Sequence, residues 1–137
     1  MEQLSSLTSG KRKSVTRLTP RSKILKTIIA AIQEKKGENI ISLDLRKINE
    51  AVADFFIICE ASNAPQIKAI ADNIEYEVKE KCSELPYHHE GQQAGQWVLI
   101  DYVNVVVHIM HPENRKFYNL EELWSDAAAE EHNENVK

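Results

Sequence analysis

Five consecutive apolar residues, Phe55-Phe56-Ile57-Ile58-Cys59, flanked by Asp54 and Glu60, constrain this chain more than any other stretch. The run has the length of a strand and is far short of the ~20 residues of a membrane span. A strand that is apolar on both faces belongs in the middle of a sheet. The segments around it supply the rest of an α/β domain. Thr19-Pro20 reads as a helix start, with Thr as N-cap and Pro at the first helical position. Ile24, Leu25, Ile28, Ile29 and Ile32 then share one helical face, and Gly37 marks the stop. Pro65 opens a longer helix whose face is Ile67, Ile70, Ala71, Ile74 and Val78, ending near Ser83.

Between and after these helices the period drops to two. Ile41, Leu43 and Leu45 alternate with Ser42, Asp44 and Arg46, which predicts a strand over 39–46. A short strand is expected over 85–90. Trp97–Ile100 and Val105–Met110 read as a hairpin around Asp101-Tyr102-Val103-Asn104. His111-Pro112 starts another helical turn, and Asn119-x-x-Glu122 is a capping-box pattern for a short last helix. After Trp124 the sequence turns Ala- and Glu-rich and is expected to fray. This order predicts a single mixed sheet of about five strands with helices packed on it, and it resembles the topology of the small nucleotidyltransferase fold. Adjacent strands favour antiparallel pairs, and the long helix between the second and third strands allows a parallel crossover. At 137 residues the chain has room for one core. Residues 1–18 read as a disordered basic leader, 19–128 as the domain and 129–137 as a polar tail.

Charge narrows the partners. Residues 1–36 hold nine Lys or Arg against Glu2 and Glu34, while residues 37–137 hold eight against nineteen Asp or Glu. An acidic domain is a poor general ligand for RNA phosphates and suits a basic protein. The leader has no apolar core of a secretory signal. Its Ser, Thr, Lys and Arg content also suits an organelle transit peptide; a flexible tail is the plainer reading. Cys59 and Cys82 form no Cys-x-x-Cys motif and read as reduced thiols.

The enzymatic alternative is metal-dependent nucleotidyl transfer on a nucleoside triphosphate. It needs clustered carboxylates for Mg²⁺ and a Gly-Ser turn for the phosphates. Asp44, Asp54 and Asp101 each stand alone, and the turn after the second strand reads Ala61-Ser62-Asn63. His88, His89, His108 and His111 lack the spacing and companions of a zinc site. No cofactor, metal or catalytic residue is implied. The hairpin is more suggestive. If Val98 and Ile100 face the helices, Trp97, Leu99 and Asp101 face the other way, with Val106 and His108 beside them. Two long helices cannot easily cover both faces of a five-stranded sheet, so one face is expected to stay partly open, as a binding surface does.

Several segments, in order and spacing, resemble the ribosomal silencing factors (RsfS/Iojap proteins). They are Leu43-Asp44-Leu45-Arg46, Ala53-Asp54-Phe55-Phe56-Ile57-Ile58, Ser62 with Ile70-Ala71-Asp72, and Glu90-Gly91. Trp97-Val98-Leu99-Ile100-Asp101-Tyr102, Val105-Val106-Val107-His108, Arg115-Lys116-Phe117-Tyr118 and Leu120-Glu121-Glu122-Leu123-Trp124 complete the set. The resemblance implies a cytoplasmic or organellar protein, without catalytic activity, that binds the large ribosomal subunit. Its partner there is the basic universal protein L-fourteen, and occupancy blocks small-subunit joining and represses translation. Trp97, Asp101, Tyr102, His108 and Tyr118 are then expected to form or border the contact surface. A minor ribosomal RNA contact by the leader and a homodimer of the free protein stay open; no membrane partner is implied. Two turns depart from the family pattern: Val103 stands where Gly is usual, with Asn104 expected to take the positive φ, and Ala61-Ser62-Asn63 replaces Ser-Gly.

Overall fold

A computed structural model describes residues 18–49 and 51–132. Helices α1 (Lys23–Glu34) and α2 (Ala64–Cys82) lie on one side of strands β1 (Glu38–Asp44), β2 (Phe55–Glu60), β3 (His88–Glu90), β4 (Trp97–Asp101) and β5 (Val105–Met110). The chain continues through α3 (Pro112–Tyr118) and α4 (Leu120–Leu123) into β6 (Ala128–Glu131). The strands form one sheet in the order β3-β4-β5-β2-β1-β6. β2 and β5 run parallel at its centre, with Phe55 opposite Val105 and Glu60 opposite Met110. The other neighbouring pairs are antiparallel.

The two faces of β2 lead into two cores. Phe55, Ile57 and Cys59 meet Ile28, Ile32, Ile67, Ile70 and Ile74 of the helices, together with Val98, Ile100, Val105 and Val107. Phe56 and Ile58 turn the other way, to Leu43, Leu45, Val106 and Met110. Phe56, Ile58, Ile70, Ile74, Val98 and Val106 are all buried, as alternation and helical spacing predict. Each such side chain contributes roughly 1.5–3 kcal/mol when fully taken out of water. The second face is covered in part. Leu120, Trp124 and Ala127, from the α4 region, pack on it with Ile48, Ala51 and Ala53 of the β1–β2 connection. Trp97 and Leu99 stay half-buried at its β4 side.

Four local expectations change. α1 starts at Lys23 with Ser22 as N-cap; Thr19 instead closes a turn, accepting from Arg21 N at 3.2 Å while its own N donates to Ser22 Oγ at 2.8 Å. The leader's last residue, Leu18, packs against the helix-side core, and residues 1–17 lie outside the described residues. The parallel partner of β2 is β5, because the chain adds β3 and β4 before returning to the centre. The segment expected to fray supplies a sixth strand: Ile41 to Asp44 pair with Glu131 to Ala128. Ser42 Oγ and His132 Nε2 lie 2.8 Å apart, and His132 N donates to Ile40 O at 2.8 Å. Apolar alternation did not mark β6 because it is an exposed edge strand held by backbone pairing.

A candidate protein-docking site

The register of the β4–β5 hairpin builds the centre of the site. Leu99 lies opposite His108, so Trp97, two residues back on the same face, is the diagonal neighbour of His108. Trp97 Nε1 donates to His108 Nδ1 at 3.1 Å, and the ring centroids are 5.9 Å apart. Trp97 meets Tyr118 at 4.9 Å, and Tyr118 meets Phe117 edge-on at 4.9 Å. Phe117 and Tyr118 are 79% and 51% exposed. The three aromatic rings form a continuous, partly open patch of the kind found at the centre of protein interfaces. From His111 to Glu131 the sequence carries six carboxylates and two cations, so the patch sits in an acidic segment.

Polar contacts hold the patch in place. α3 has a short N-terminal signal: His111 as N-cap, its Nδ1 accepting from Glu113 N at 3.2 Å, then Pro112. It ends at Asn119, which adopts φ +49°. No residue of α3 is buried. Besides the Tyr118–Trp97 contact, Arg115 links it to the sheet: its Nη1 donates to Asn39 O at 2.6 Å and to Glu60 Oε1 at 3.2 Å. Nη2 reaches Glu121 Oε2 at 2.8 Å, and the arginine side chain is only 11% exposed. One guanidinium thus ties α3 to the start of β1, the end of β2 and α4.

His108 is 4% exposed and lies 4.7 Å from the Phe56 ring. The indole N–H can only donate, so His108 Nδ1 accepts and the neutral ring carries its proton on Nε2. That Nε2 is buried without a hydrogen-bond partner among the described residues. Burial drives the imidazole pKa down from 6.5 to about 4.

The five expected contact residues therefore divide. Trp97, His108 and Tyr118 come together, but His108 lies beneath the surface. Asp101 is at the other end of β4, about 13 Å from Trp97 at ~3.3 Å per residue. Its Oδ1 accepts from Val103 N at 2.7 Å, which shapes the hairpin turn. Tyr102 is buried against the helix-side core, and burial pushes its phenol pKa up. Its expected surface role is corrected accordingly. The alternation of β4 continues one residue past the strand, so Tyr102 falls on the helix side with Val98 and Ile100 while Trp97, Leu99 and Asp101 face the other way. Val103 itself takes the positive φ, +76°, in place of Asn104. Arg115 and Phe117, outside the five expected contact residues, also belong to the patch. The available signal was a cation between Glu113 and Glu121 and an aromatic doublet at a helix end.

The residues weighed for catalysis are otherwise engaged or dispersed. Asp44 Oδ2 accepts from Arg46 Nη2 at 2.7 Å, and the guanidinium lowers the carboxyl pKa. His88 pairs with Glu90 and His89 with Glu75, both on the surface. Among the described residues, no group of three or more His, Cys, Asp or Glu is placed to hold a metal. Burial raises the Cys59 thiol to about 12. No described helix is long and apolar enough to cross a membrane.

Residues 19–137 match the family model described as ribosomal silencing factor during starvation. The chain belongs to the ribosomal silencing factor family. A Bacillus subtilis ribosomal silencing factor is 41% identical over 104 residues, 76% of this chain and 86% of its own length. The chloroplastic Iojap protein of Zea mays is 33% identical over 101 residues, 74% of this chain and 43% of its own length. A crystal structure of a Chromobacterium violaceum protein superposes with a TM-score of 0.71 at 31% identity, covering 84% of this chain and 88% of that one. Family membership places the chain among ribosome-associated regulators of translation.

Proposed function

We propose that this ribosomal silencing factor binds the large ribosomal subunit through the basic universal protein L-fourteen, blocks small-subunit joining sterically and acts without catalysis. The observation that carries the reading is the Trp97–Tyr118–Phe117 patch, partly open on an acidic segment. Aromatic anchors suit the desolvated centre of an interface, and rim carboxylates complement a basic partner and speed its capture. A docking area of ordinary size covers ~800 Å² on each side, ample to place this domain between two subunits. Trp97 and Tyr118 are the central contacts in this reading. Asp101 contributes at most at the rim, and Tyr102 contributes through the core. The cytoplasm, or an organelle interior in eukaryotic relatives, is the corresponding compartment.

The test is co-sedimentation with separated ribosomal subunits, followed by a subunit-joining assay by light scattering. The parent should pellet with large subunits alone and reduce joining. Trp97→Ala and Tyr118→Ala should each weaken binding by ~2 kcal/mol, roughly thirtyfold, if they are interface anchors. Folded variants that bind like the parent would move the site elsewhere. A parent that pellets with neither subunit would overturn the proposal.

A further inference from the structure

β5 reads Val-Val-Val-His-Ile-Met and is buried along its whole length. His108 is the polar member of this central strand, on the face it shares with Val106 and Met110. Phe56 lies against its ring. An apolar residue would fill such a position without leaving a donor unpaired. A buried, half-satisfied imidazole is a local conflict with the sheet around it, and such conflicts concentrate where function requires them. The bond His108 does make identifies the requirement. Its Nδ1 takes the indole N–H of Trp97, the half-buried ring against which Tyr118 packs at a tilt of 47°.

We propose that His108 is a positioning residue: it makes no contact with the partner, and its Nδ1 fixes the indole of Trp97 in the orientation that the docking patch presents. The inference rests on the docking reading above and adds a role to a side chain beneath the surface. Without the acceptor, the indole N–H turns to solvent, the ring is free to swing about its side-chain torsions, and Tyr118 loses the ring it packs against. Binding must then reorder a ring that the parent holds in advance, and preorganisation of this kind reduces the entropy lost on association. A merely structural His108 predicts loss of stability on replacement. A positioning His108 predicts weaker binding with stability kept or raised, because replacement also removes the unpaired Nε2–H.

His108→Leu and His108→Asn separate the two, because the Asn Oδ1 sits close to the place of the imidazole Nδ1 and restores the acceptor. The two indole N–H resonances, from Trp97 and Trp124, are assigned by NMR with a Trp124→Phe variant. In His108→Leu the Trp97 resonance should move upfield and exchange faster, the melting temperature should not fall, and large-subunit binding should weaken roughly tenfold, a misplaced anchor being costly. His108→Asn should recover both the resonance and most of the binding. The proposal is overturned if His108→Leu binds like the parent, if its Trp97 resonance stays in place, or if His108→Asn is as weak as His108→Leu. It is also overturned if binding falls only in step with melting temperature. A parent that does not bind large subunits sinks the docking reading, whereas the indole resonance still decides whether His108 holds Trp97.

Discussion

Replacing Val103 by Gly should make this protein more stable. Asn104 N donates to Tyr102 O at 2.9 Å across Val103, whose φ is +76°. That is a classic γ-turn geometry, strained for any residue and worse for a β-branched one. Tyr102 N to Val105 O at 2.9 Å and Val103 N to Asp101 Oδ1 at 2.7 Å hold the turn closed, so the strain cannot relax. Strain of this kind costs about 1–3 kcal/mol. Glycine removes it but adds ~0.5–1 kcal/mol of backbone entropy to the unfolded chain. It also forfeits the contacts of a half-buried valine, up to about 1 kcal/mol. The balance is a gain of ~0.5–1 kcal/mol, or about 2–4 °C in melting temperature for a domain of this size. Val103→Ala is the control, since it loses the branch and keeps a Cβ at positive φ; it should gain nothing. Differential scanning calorimetry and urea titration read both variants. The reasoning fails if Val103→Gly melts below the parent, or if Val103→Ala gains as much.

Acid should expose the buried imidazole. With the folded-state pKa of His108 at about 4 against 6.5 unfolded, the unfolded chain takes up the proton first as pH falls. Its contribution is therefore complete above pH 6.5 and is lost progressively between 6.5 and 4, up to about 3 kcal/mol. Urea titrations at pH 7 and 4.5 should show a larger acid loss in the parent than in His108→Leu. Arg115→Met should cost about 2 kcal/mol by leaving Glu60 poorly paired, and should weaken large-subunit binding because α3 loses its tie; Arg115→Lys should recover only part of both. Gly91→Ala should cost about 2 kcal/mol or more, measured by thermal melting. Its φ is +90° and a Cβ there would come within 2.1 Å of Trp97 O.

Much of the architecture was legible because burial writes itself into sequence period. The unbroken apolar run of β2 announced a central strand, and the alternation of β4 and β5 placed Val98 and Ile100 toward the helices and Trp97 and Leu99 away from them. Where backbone pairing carries the structure, the sequence is mute: β6 is Ala-Ala-Glu-Glu with four exposed residues, and it still completes the sheet. The residues that cover part of the second face were illegible for a related reason. Leu120, Trp124 and Ala127 act from a four-residue helix and the turn after it, too short to show a helical period. The patch itself was half legible. Trp97 followed from alternation, but Arg115 acts on residues 76 and 55 positions away, a separation that no local pattern encodes.

The strap from α3 to β6 also sets the order in which the molecule can be completed. Synthesis delivers β1 and β2 early, but β2 waits for β5, and the edge of β1 waits for residues 128–131. Pairings so distant in sequence form slowly. Until Leu120 and Trp124 arrive, Phe56, Ile58, Val106 and Met110 lack part of their cover and β1 presents an unpaired edge. A nascent chain halted before Leu120 would display an apolar sheet face beside an open strand, the combination that recruits other chains. The segment that directly follows the aromatic patch, from Leu120 to Glu131, is thus the last to seal the domain against aggregation.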